Sequence, residues 1–167
     1  DGMLAAIKQV HDSAFTPEAL AYRERMNVTG DPAIAVVLQK QILSEVSGVM
    51  FTHNPLNGAS ERYIEASWGL GEAIVSGLVV PDSFRISDEG SILERVAGEK
   101  DVELVASEDG QAIEREIKGE RVEALCVSDE QLLQLHDLAN KCQTVYEEQI
   151  DIEWAFYQNC IYLLQCR

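Results

Sequence analysis

The chain has 167 residues, 46% of them hydrophobic, which suits one globular domain or one half of a larger two-lobed domain. Its formal net charge of -16 argues against nucleic acids and anionic membranes as partners, and no apolar run reaches the roughly 18 residues of a membrane span. The four cysteines include no C-x-x-C pair, so zinc binding and thioredoxin-like chemistry are not indicated and reduced thiols are expected.

The first thirty residues predict two helices. Apolar residues recur at helical spacing over residues 3–13: Met3, Leu4, Ile7 and Val10. Thr16 followed by Pro17 is typical of the start of a second helix, with Thr as N-cap and Pro in the first turn. Residues 1–30 are therefore predicted to form a helical linker segment, and residues 31–167 the main domain.

The predicted β-structure begins after the turn at residues 30–32. Ala33 to Leu38 is an unbroken apolar run, too short for a helix, and it predicts a central strand that continues into Gln39, Lys40 and Gln41. Residues 47–52 and 62–67 predict two further strands.

A glycine-containing turn follows the third predicted strand. In the string W-G-L-G-E, Gly69 and Gly71 precede a short predicted helix at residues 73–77. Two glycines before a helix expose amide N–H groups that can bind an anion. A plain strand-to-helix turn is the alternative.

Residues 81–126 alternate weakly and contain three turn signals, which predicts an antiparallel meander with one solvated face. Lys100 would then be a surface lysine in a charged hairpin.

Ser128 and Gln131 form a capping box that starts a long helix. The apolar stripe of this helix is predicted to pack on the core: Leu132, Leu135, Leu138, Ala139 and Val145.

The last seventeen residues predict a β-hairpin. Both of its predicted apolar sets are even-numbered: Ile152, Trp154 and Phe156 in the first strand, and Tyr162, Leu164 and Cys166 in the second. One shared apolar face requires a turn with an odd number of residues, and a three-residue turn at 158–160 is predicted. Glu153 then lies opposite Gln165, and Asp151 opposite Arg167, on the face away from the core. The alternative is a sheet whose outer face is merely solvated.

Several strings in the chain resemble one known family. They are D-I-E-W-A and L-L-Q-C-R in the hairpin, S-G-V-M-F-T in the second predicted strand and E-A-S-W-G-L-G-E-A-I-V-S-G around the glycine turn. Together they resemble the nucleotide-binding domain of the phosphoenolpyruvate synthase, pyruvate phosphate dikinase and rifampin phosphotransferase family. The resemblance implies the C-terminal lobe of an ATP-grasp domain, an α+β fold with a mainly antiparallel sheet, flanking helices and a terminal β-hairpin. ATP and Mg²⁺ are the implied cofactors.

The resemblance also implies roles for individual residues. Glu153 matches the family's metal-binding Glu, Gln165 matches a second ligand or its support, and Arg167 matches a phosphate clamp. The backbone at Gln39, Lys40 and Gln41 would border the adenine, although Gln41 departs from the hydrophobic residue usual there. Glu72 would be a metal or orienting carboxylate, and Lys100 matches a lysine common in the family.

The activity implied by the resemblance is phosphoryl transfer from ATP, by way of a phosphohistidine on another domain, to pyruvate or to an acceptor such as rifampin. The strings A-S-W-G-L-G-E and P-D-S-F favour the rifampin phosphotransferase or phosphoenolpyruvate synthase branch. The expected partners are ATP, an N-terminal nucleotide lobe that supplies a Lys and an Arg, and the phosphohistidine domain. We therefore expect a piece of a longer cytoplasmic enzyme, inactive alone. The alternatives are a non-catalytic interaction module and a nucleotide-binding subunit completed by a partner chain.

Overall fold

The computed structural model describes residues 2–146 and 149–167 and divides the chain into two compact units, Asp1–Gln41 and Ile42–Arg167. The first unit contains the two predicted helices, α1 (Gly2–Asp12) and α2 (Pro17–Arg25), with a short 3-10 helix between them (Ser13–Phe15). Thr16 caps α2, because its hydroxyl accepts a hydrogen bond from the amide of Ala19 at 3.3 Å. The domain boundary predicted at residue 30 stays a prediction.

The second unit is built on a six-stranded antiparallel sheet. Its strands are β1 (Val46–Phe51), β2 (Glu61–Trp68), β3 (Asp82–Ser87), β4 (Ile92–Val96), β7 (Asp151–Tyr157) and β8 (Cys160–Cys166). Their order across the sheet is β4-β3-β2-β1-β7-β8. The remaining strands, β5 (Val102–Ala106) and β6 (Ala112–Glu116), form a separate two-stranded ribbon. The predicted meander is therefore divided: β3 and β4 extend the main sheet, whereas β5 and β6 leave it.

The helices of the second unit are α3 (Glu72–Val75), a 3-10 helix (Gly119–Val122) and α4 (Asp129–Tyr146). The predicted capping box starts α4. The amide of Ser128 donates to the side chain of Gln131 at 3.0 Å, and the amide of Gln131 donates to the Ser128 hydroxyl at 3.3 Å.

The main core lies between α4 and one face of the sheet. Leu132, Leu135 and Ala139 of α4 are fully buried there against Trp154 and Phe156 of β7. Val145 is 74% exposed, so its predicted place in the core is wrong. The last buried residue of the helix is Cys142, and the final turn has no core to pack on. The resulting α+β fold, with a mostly antiparallel sheet, flanking helices and a C-terminal hairpin, confirms the predicted fold class.

The predicted central strand at residues 33–38 is wrong. Residues 33–41 have no regular secondary structure, and Val37 is 82% exposed. A strand is stable only when a neighbouring strand takes up its backbone hydrogen bonds, and the described part of the first unit contains no strand. Apolar content alone was not sufficient evidence for this element.

Lys100 is fully buried, so the interpretation as a surface lysine is also wrong. Its ammonium group donates a hydrogen bond to the carboxylate of Asp82, which is equally buried. The same carboxylate accepts from the amides of Gly98 at 2.8 Å and Cys126 at 2.7 Å. The Asp82 carboxylate thereby joins the start of β3 to the segment that follows β4 and to the segment that leads into α4.

No helix within the described residues combines the length and the apolar character needed to cross a bilayer.

Candidate functional site

The terminal hairpin brings Glu153 of β7 directly opposite Gln165 of β8, as predicted. Asp151 and Arg167 are also opposite each other. The amide of Asp151 donates to the carbonyl of Arg167 at 2.7 Å, and the reverse hydrogen bond measures 3.0 Å. Residues opposite each other across two strands share a face, so Glu153 and Gln165 project together.

The predicted three-residue turn is wrong, although the pairing that it was meant to produce is right. The turn has two residues, Gln158 and Asn159, with φ of 50° and 58°. Two successive residues with positive φ are typical of a type I′ hairpin turn. The register then shifts between Glu153 and Trp154, which leaves Leu164 as the extra residue of a β-bulge. The bulge supplies the extra residue that the prediction places in the turn.

The bulge also changes which β8 residues face the core. Phe156 lies opposite Ile161, which packs against the core together with Cys166. Tyr162 lies opposite Ala155, and Leu164 is exposed at the bulge. The predicted core positions of Tyr162 and Leu164 are therefore wrong, because the strict alternation assumed for β8 is interrupted.

The sheet face opposite α4 is called here the site face. Two rows of directly opposed residues cross it. The first row contains Gln165, Glu153, Val49, Glu65 and Ser83. The second contains Arg167, Asp151, Phe51, Tyr63 and Arg85. Neighbouring strands in a sheet are about 4.8 Å apart, so adjacent residues of a row lie close enough to contact the same ligand.

The charged groups at the β2–β3 end of the site face are engaged with one another. Arg85 donates to Glu94 at 2.8 Å and to Glu61 at 3.2 Å. A 2.6 Å hydrogen bond from Asn54 and the ion pair with Arg85 lower the pKa of Glu61 against the effect of its burial. Burial, followed by the charge of Glu65, raises the pKa of Tyr63. This end of the face is held together by internal pairs.

The β7–β8 end is different. Within residues 2–146 and 149–167, the side chains of Glu153, Gln165 and Arg167 have no hydrogen-bonding or ion-pair partner. Glu153 is half-buried, whereas Gln165 and Arg167 are exposed. Their acceptor and donor groups are therefore available to a ligand on the site face.

The donor chemistry at this end fits Mg²⁺. The ion prefers hard oxygen ligands and is commonly held by one or two carboxylates together with water and substrate phosphates. Glu153 offers a carboxylate and Gln165 an amide oxygen from adjacent strands. The described residues contain no group of three or more acidic, histidine or cysteine side chains that could hold a metal ion. The residues present suit an ion shared with a phosphate and not a metal cage formed by the protein alone.

Glu72 lies in neither row. It is the first residue of α3 and lines an open cleft of about 610 Å³ with Leu78, Leu104 and Glu114. The amide of Gly69 already donates to Glu45 at 2.9 Å, and the amide of Leu70 to Leu104 at 2.8 Å. These two amides are not available to a phosphate, and anion binding by the remaining amides at the start of α3 stays a prediction. The predicted role of Glu72 stays a prediction.

Gln39, Lys40 and Gln41 end the first unit, in irregular backbone, and all three are exposed. Their proposed contact with adenine stays a prediction.

Sequence reasoning missed Glu65 and Tyr63 as members of the site face. Alternation within residues 62–67 places these two side chains on the same face of β2. Only the strand order, with β1 between β2 and β7, shows that this face is also that of Glu153.

Unengaged polar groups at the β7–β8 end of the site face define a candidate ligand-binding face, and comparison with known proteins identifies the class of protein. The chain belongs to the family described as pyruvate phosphate dikinase, AMP/ATP-binding domain, which matches residues 1–167. This finding confirms the family inferred from the motifs.

Several relatives of this chain carry the names of phosphoenolpyruvate synthases or of a phosphotransferase. The chain is 38% identical over 169 residues to a probable phosphoenolpyruvate synthase of Archaeoglobus fulgidus, covering 100% of this chain and 22% of the relative. It is 36% identical to a probable phosphoenolpyruvate synthase of Methanothermobacter thermautotrophicus, covering 100% of this chain and 25% of that protein. It is 30% identical to the rifampicin phosphotransferase of Bacillus subtilis, covering 100% of this chain and 19% of that protein. The chain therefore spans a quarter or less of the length of these relatives.

Proposed function

We propose that this chain is the ATP-binding part of a phosphotransferase that passes a phosphoryl group from ATP, by way of a phosphohistidine on another domain, to pyruvate. Family membership supports the nucleotide, and the phosphoenolpyruvate synthases among the relatives support the acceptor. The observation that carries the proposal is the pair Glu153–Gln165, opposed on the site face with its side chains unengaged. We further propose that the sheet is the C-terminal lobe of an ATP-grasp domain in a cytoplasmic enzyme.

Glu153 and Gln165 would hold Mg²⁺ through one oxygen each. When bound, Mg²⁺ would neutralise charge on the phosphate oxygens, which is a main requirement of phosphoryl transfer. Arg167 lies one row further along the face, and its planar guanidinium can donate two parallel hydrogen bonds to a phosphate. The backbone of residues 39–41 would border the adenine.

The hairpin suits this task because core packing and backbone hydrogen bonds hold its backbone in place. Phosphoryl transfer depends mainly on positioning and charge stabilisation, with little covalent work for the protein. Glu153 is flanked by Ile152 and Trp154, both fully buried on the opposite face. The hydrogen bonds between Asp151 and Arg167 close the open end of the ladder. These contacts fix the backbone from which the proposed ligands project.

The net charge of the chain predicts weak binding of ATP to the chain alone. At -16, the chain repels an anionic nucleotide unless Mg²⁺ and other cations compensate. The proposed source of those cations is a further nucleotide lobe, with a Lys and an Arg directed at the phosphates. We propose that hydrolysis of ATP needs that lobe.

A second acceptor is favoured by one specific observation. The rifampicin phosphotransferase of Bacillus subtilis matches the whole of this chain. An antibiotic hydroxyl group is therefore the second candidate for the final acceptor, with the same nucleotide chemistry at Glu153 and Gln165.

Calorimetric titration of Mg·ATP into the reduced chain tests the proposal, with Glu153→Gln beside it. Glu108→Gln is the matched control, because it removes the same charge from an exposed turn. We expect weak binding that requires Mg²⁺, an affinity at least roughly tenfold lower in Glu153→Gln, and no change in the control. Equal affinity of all three proteins for Mg·ATP would show that the terminal hairpin does not take part in nucleotide binding. That result would favour a non-catalytic interaction module.

A further inference from the structure

A cleft of about 370 Å³ opens at the end of the site face, beside its second row. Phe51 and Asp151, which are directly opposed members of that row, both line it. The other lining residues come from the loop after β1 and from the segment before β7: His53, Asn54, Pro55, Gly58, Gln149 and Ile150. This space is called here the Asp151 cleft, and it is continuous with the site face.

Hydrogen bonds hold the two walls of the Asp151 cleft in place. The amide of Thr52 donates to the carbonyl of Ile150 at 3.1 Å, and the amide of Ile150 donates to the Thr52 hydroxyl at 2.9 Å. In the loop after β1, the amide of Gly58 donates to the carbonyl of Asn54 at 2.8 Å, and the Asn54 side chain donates to Glu61 at 2.6 Å. These groups are occupied within the protein, so they set the shape of the cleft and leave its chemistry to other side chains.

Asp151 and His53 are the titratable residues that line the cleft. Asp151 is exposed, and within residues 2–146 and 149–167 its carboxylate has no hydrogen-bonding or ion-pair partner. His53 is half-buried, and its Nδ1 atom is buried without a hydrogen-bond partner in the same part of the chain. The His53 ring is therefore held by packing, and the carboxylate of Asp151 is free to bind a ligand.

The lining of the cleft favours a flat ring that carries an N–H group. Phe51 and Pro55 offer apolar surface to such a ring, and the ionised carboxylate of Asp151 accepts hydrogen bonds but cannot donate them. A phosphate in the cleft would meet this carboxylate as a like charge. A neutral imidazole has a flat ring, one N–H donor and one nitrogen with a free lone pair, so it fits this lining.

The cleft is next to the proposed phosphate ligands. Asp151 precedes Glu153 by two residues on β7, which is about 7 Å along the strand, and the two side chains share the site face. Asp151 is also directly opposite Arg167. A ring bound at Asp151 and a phosphoryl group bound at Glu153 and Arg167 would therefore be neighbours.

We propose that the Asp151 cleft receives the imidazole of the acceptor histidine, presented by another domain, and that Asp151 positions this ring. The inference rests on the function proposed above, which requires a phosphohistidine and does not say where its ring binds. Asp151 accepts the N–H of the ring nitrogen that lies farther from the phosphate. This hydrogen bond selects the tautomer whose nearer nitrogen carries the free lone pair.

The transfer step balances without a further reactant. The lone pair of the nearer nitrogen forms a bond to phosphorus, while the P–O bond to the rest of the nucleotide breaks and its electron pair stays on the leaving oxygen. The farther nitrogen keeps its proton, so the ring gains positive charge as the N–P bond forms. The Asp151 carboxylate stabilises that charge, which is larger after the transfer than before it.

NMR titration of the isotope-labelled 167-residue chain tests the cleft, with 4-methylimidazole as the analogue of a histidine side chain. The matched probe is 1-methylimidazole, which has a ring of the same size but no N–H group. At about pH 9 both probes are neutral, so the acidity of the chain does not attract them unspecifically. The amides of Gly58 and Ile150 report on the two walls of the cleft.

We expect saturable shifts of both amides with 4-methylimidazole, and binding at least roughly threefold weaker in Asp151→Asn. The other probe, 1-methylimidazole, should bind the two proteins equally. Asp137→Asn is the control, because it removes the same charge from an exposed position on α4, on the other side of the sheet. His53→Ala should weaken binding of both probes alike, since it removes packing surface and not the hydrogen-bond acceptor.

Shifts that do not saturate would overturn the proposal, as would a loss in Asp151→Asn that is the same for both probes. Saturating Mg·ATP should leave the binding of 4-methylimidazole intact, because the ring and the nucleotide occupy neighbouring positions. Competition between them would place the nucleotide in the cleft and overturn the proposal as well. A chain that binds 4-methylimidazole as expected but does not bind Mg·ATP would instead contradict the proposed function.

His53 is itself an imidazole at this place, so the test includes its own phosphorylation. Intact mass of the chain after incubation with Mg·ATP, measured without acid, should show no added phosphoryl group. A phosphoryl group that appears in the wild type and is absent in His53→Ala would make His53 the acceptor. That result would overturn the role assigned to the cleft.

Discussion

Lys100 and Asp82 form an ion pair with no exposure to solvent, and the two amide hydrogen bonds to Asp82 complete its surroundings. Removing one partner of a buried pair leaves an uncompensated charge, which costs roughly 3–5 kcal/mol. We predict a loss of this size for Lys100→Ala, measured by urea unfolding. Lys118→Ala is the control, because Lys118 pairs with Glu116 at a site where both side chains are mostly exposed. Similar losses in the two variants would contradict a structural role for Lys100.

Glu61 makes stability depend on pH. Its pKa is lowered in the folded state, first by the hydrogen bond from Asn54 and then by Arg85. The unfolded chain therefore takes up this proton at a higher pH than the folded one. The stabilisation that the Glu61 carboxylate provides is present above about pH 4, near the ordinary pKa of a glutamate. It is lost as pH falls through the pKa of Glu61 in the folded state. We predict that Glu61→Gln is less stable than the wild type at pH 7, by about 1 kcal/mol or more, and that the difference narrows towards pH 3.

Thermal unfolding between pH 3 and pH 7 checks the prediction for Glu61. Glu108→Gln again serves as the control, and it should follow the wild-type curve. A difference between Glu61→Gln and the wild type that stays constant over this range would show that the carboxylate charge is not responsible.

Among the elements, the turn after β2 depends on a glycine for two separate reasons. Gly69 has φ of +75°, and a Cβ there would lie 2.2 Å from the carbonyl oxygen of Leu104 in β5. Gly77 has φ of +69° but nothing within 4 Å of such a Cβ. We predict that Gly77→Ala costs about 1 kcal/mol from backbone strain alone. Gly69→Ala should cost clearly more, because β5 must also move. Denaturant titration of the two variants separates these effects, and equal losses would contradict the close packing.

Elements with a local signal were predicted well. The capping box at Ser128 and the N-cap at Thr16 depend on residues within one turn, and both helices begin where these signals lie. The opposition of Glu153 and Gln165 follows from alternation and was also predicted. The bulge at Leu164 was not predicted, because parity requires an odd number of unpaired residues in the hairpin and does not fix where they lie.

Features that depend on distant partners were missed. The burial of Lys100 requires Asp82, eighteen residues away, and the apolar run at residues 33–38 lacks a partner strand in its unit. The last turn of α4 extends beyond the core. The apolar stripe continues to Val145, so the sequence pattern does not show where the core ends. The rows of the site face depend on strand order, and an alternating pattern contains no information about order.

At the scale of the whole molecule, the core belongs to one unit. The helices α1 and α2 contain no buried residue, and every buried hydrophobic residue in the described part of the chain lies at position 46 or later. We predict that removal of residues 1–41 lowers the free energy of unfolding by less than about 1 kcal/mol, a change in Tm of roughly 4 °C or less. Differential scanning calorimetry of the shortened chain checks this. Loss of a cooperative transition would show that the first unit supports the second.

The bulge at Leu164 has a consequence for comparing this hairpin with others. Glu153 and Gln165 are twelve residues apart, and this interval allows the same pairing with a two-residue turn plus a bulge or with a three-residue turn and a regular ladder. A sequence alignment preserves this twelve-residue interval in both cases, so it does not show which of the two arrangements a protein has. Related hairpins can therefore move one residue between the turn and the second strand, which reverses the face of each β8 side chain between the turn and the bulge while Glu153 and Gln165 stay paired.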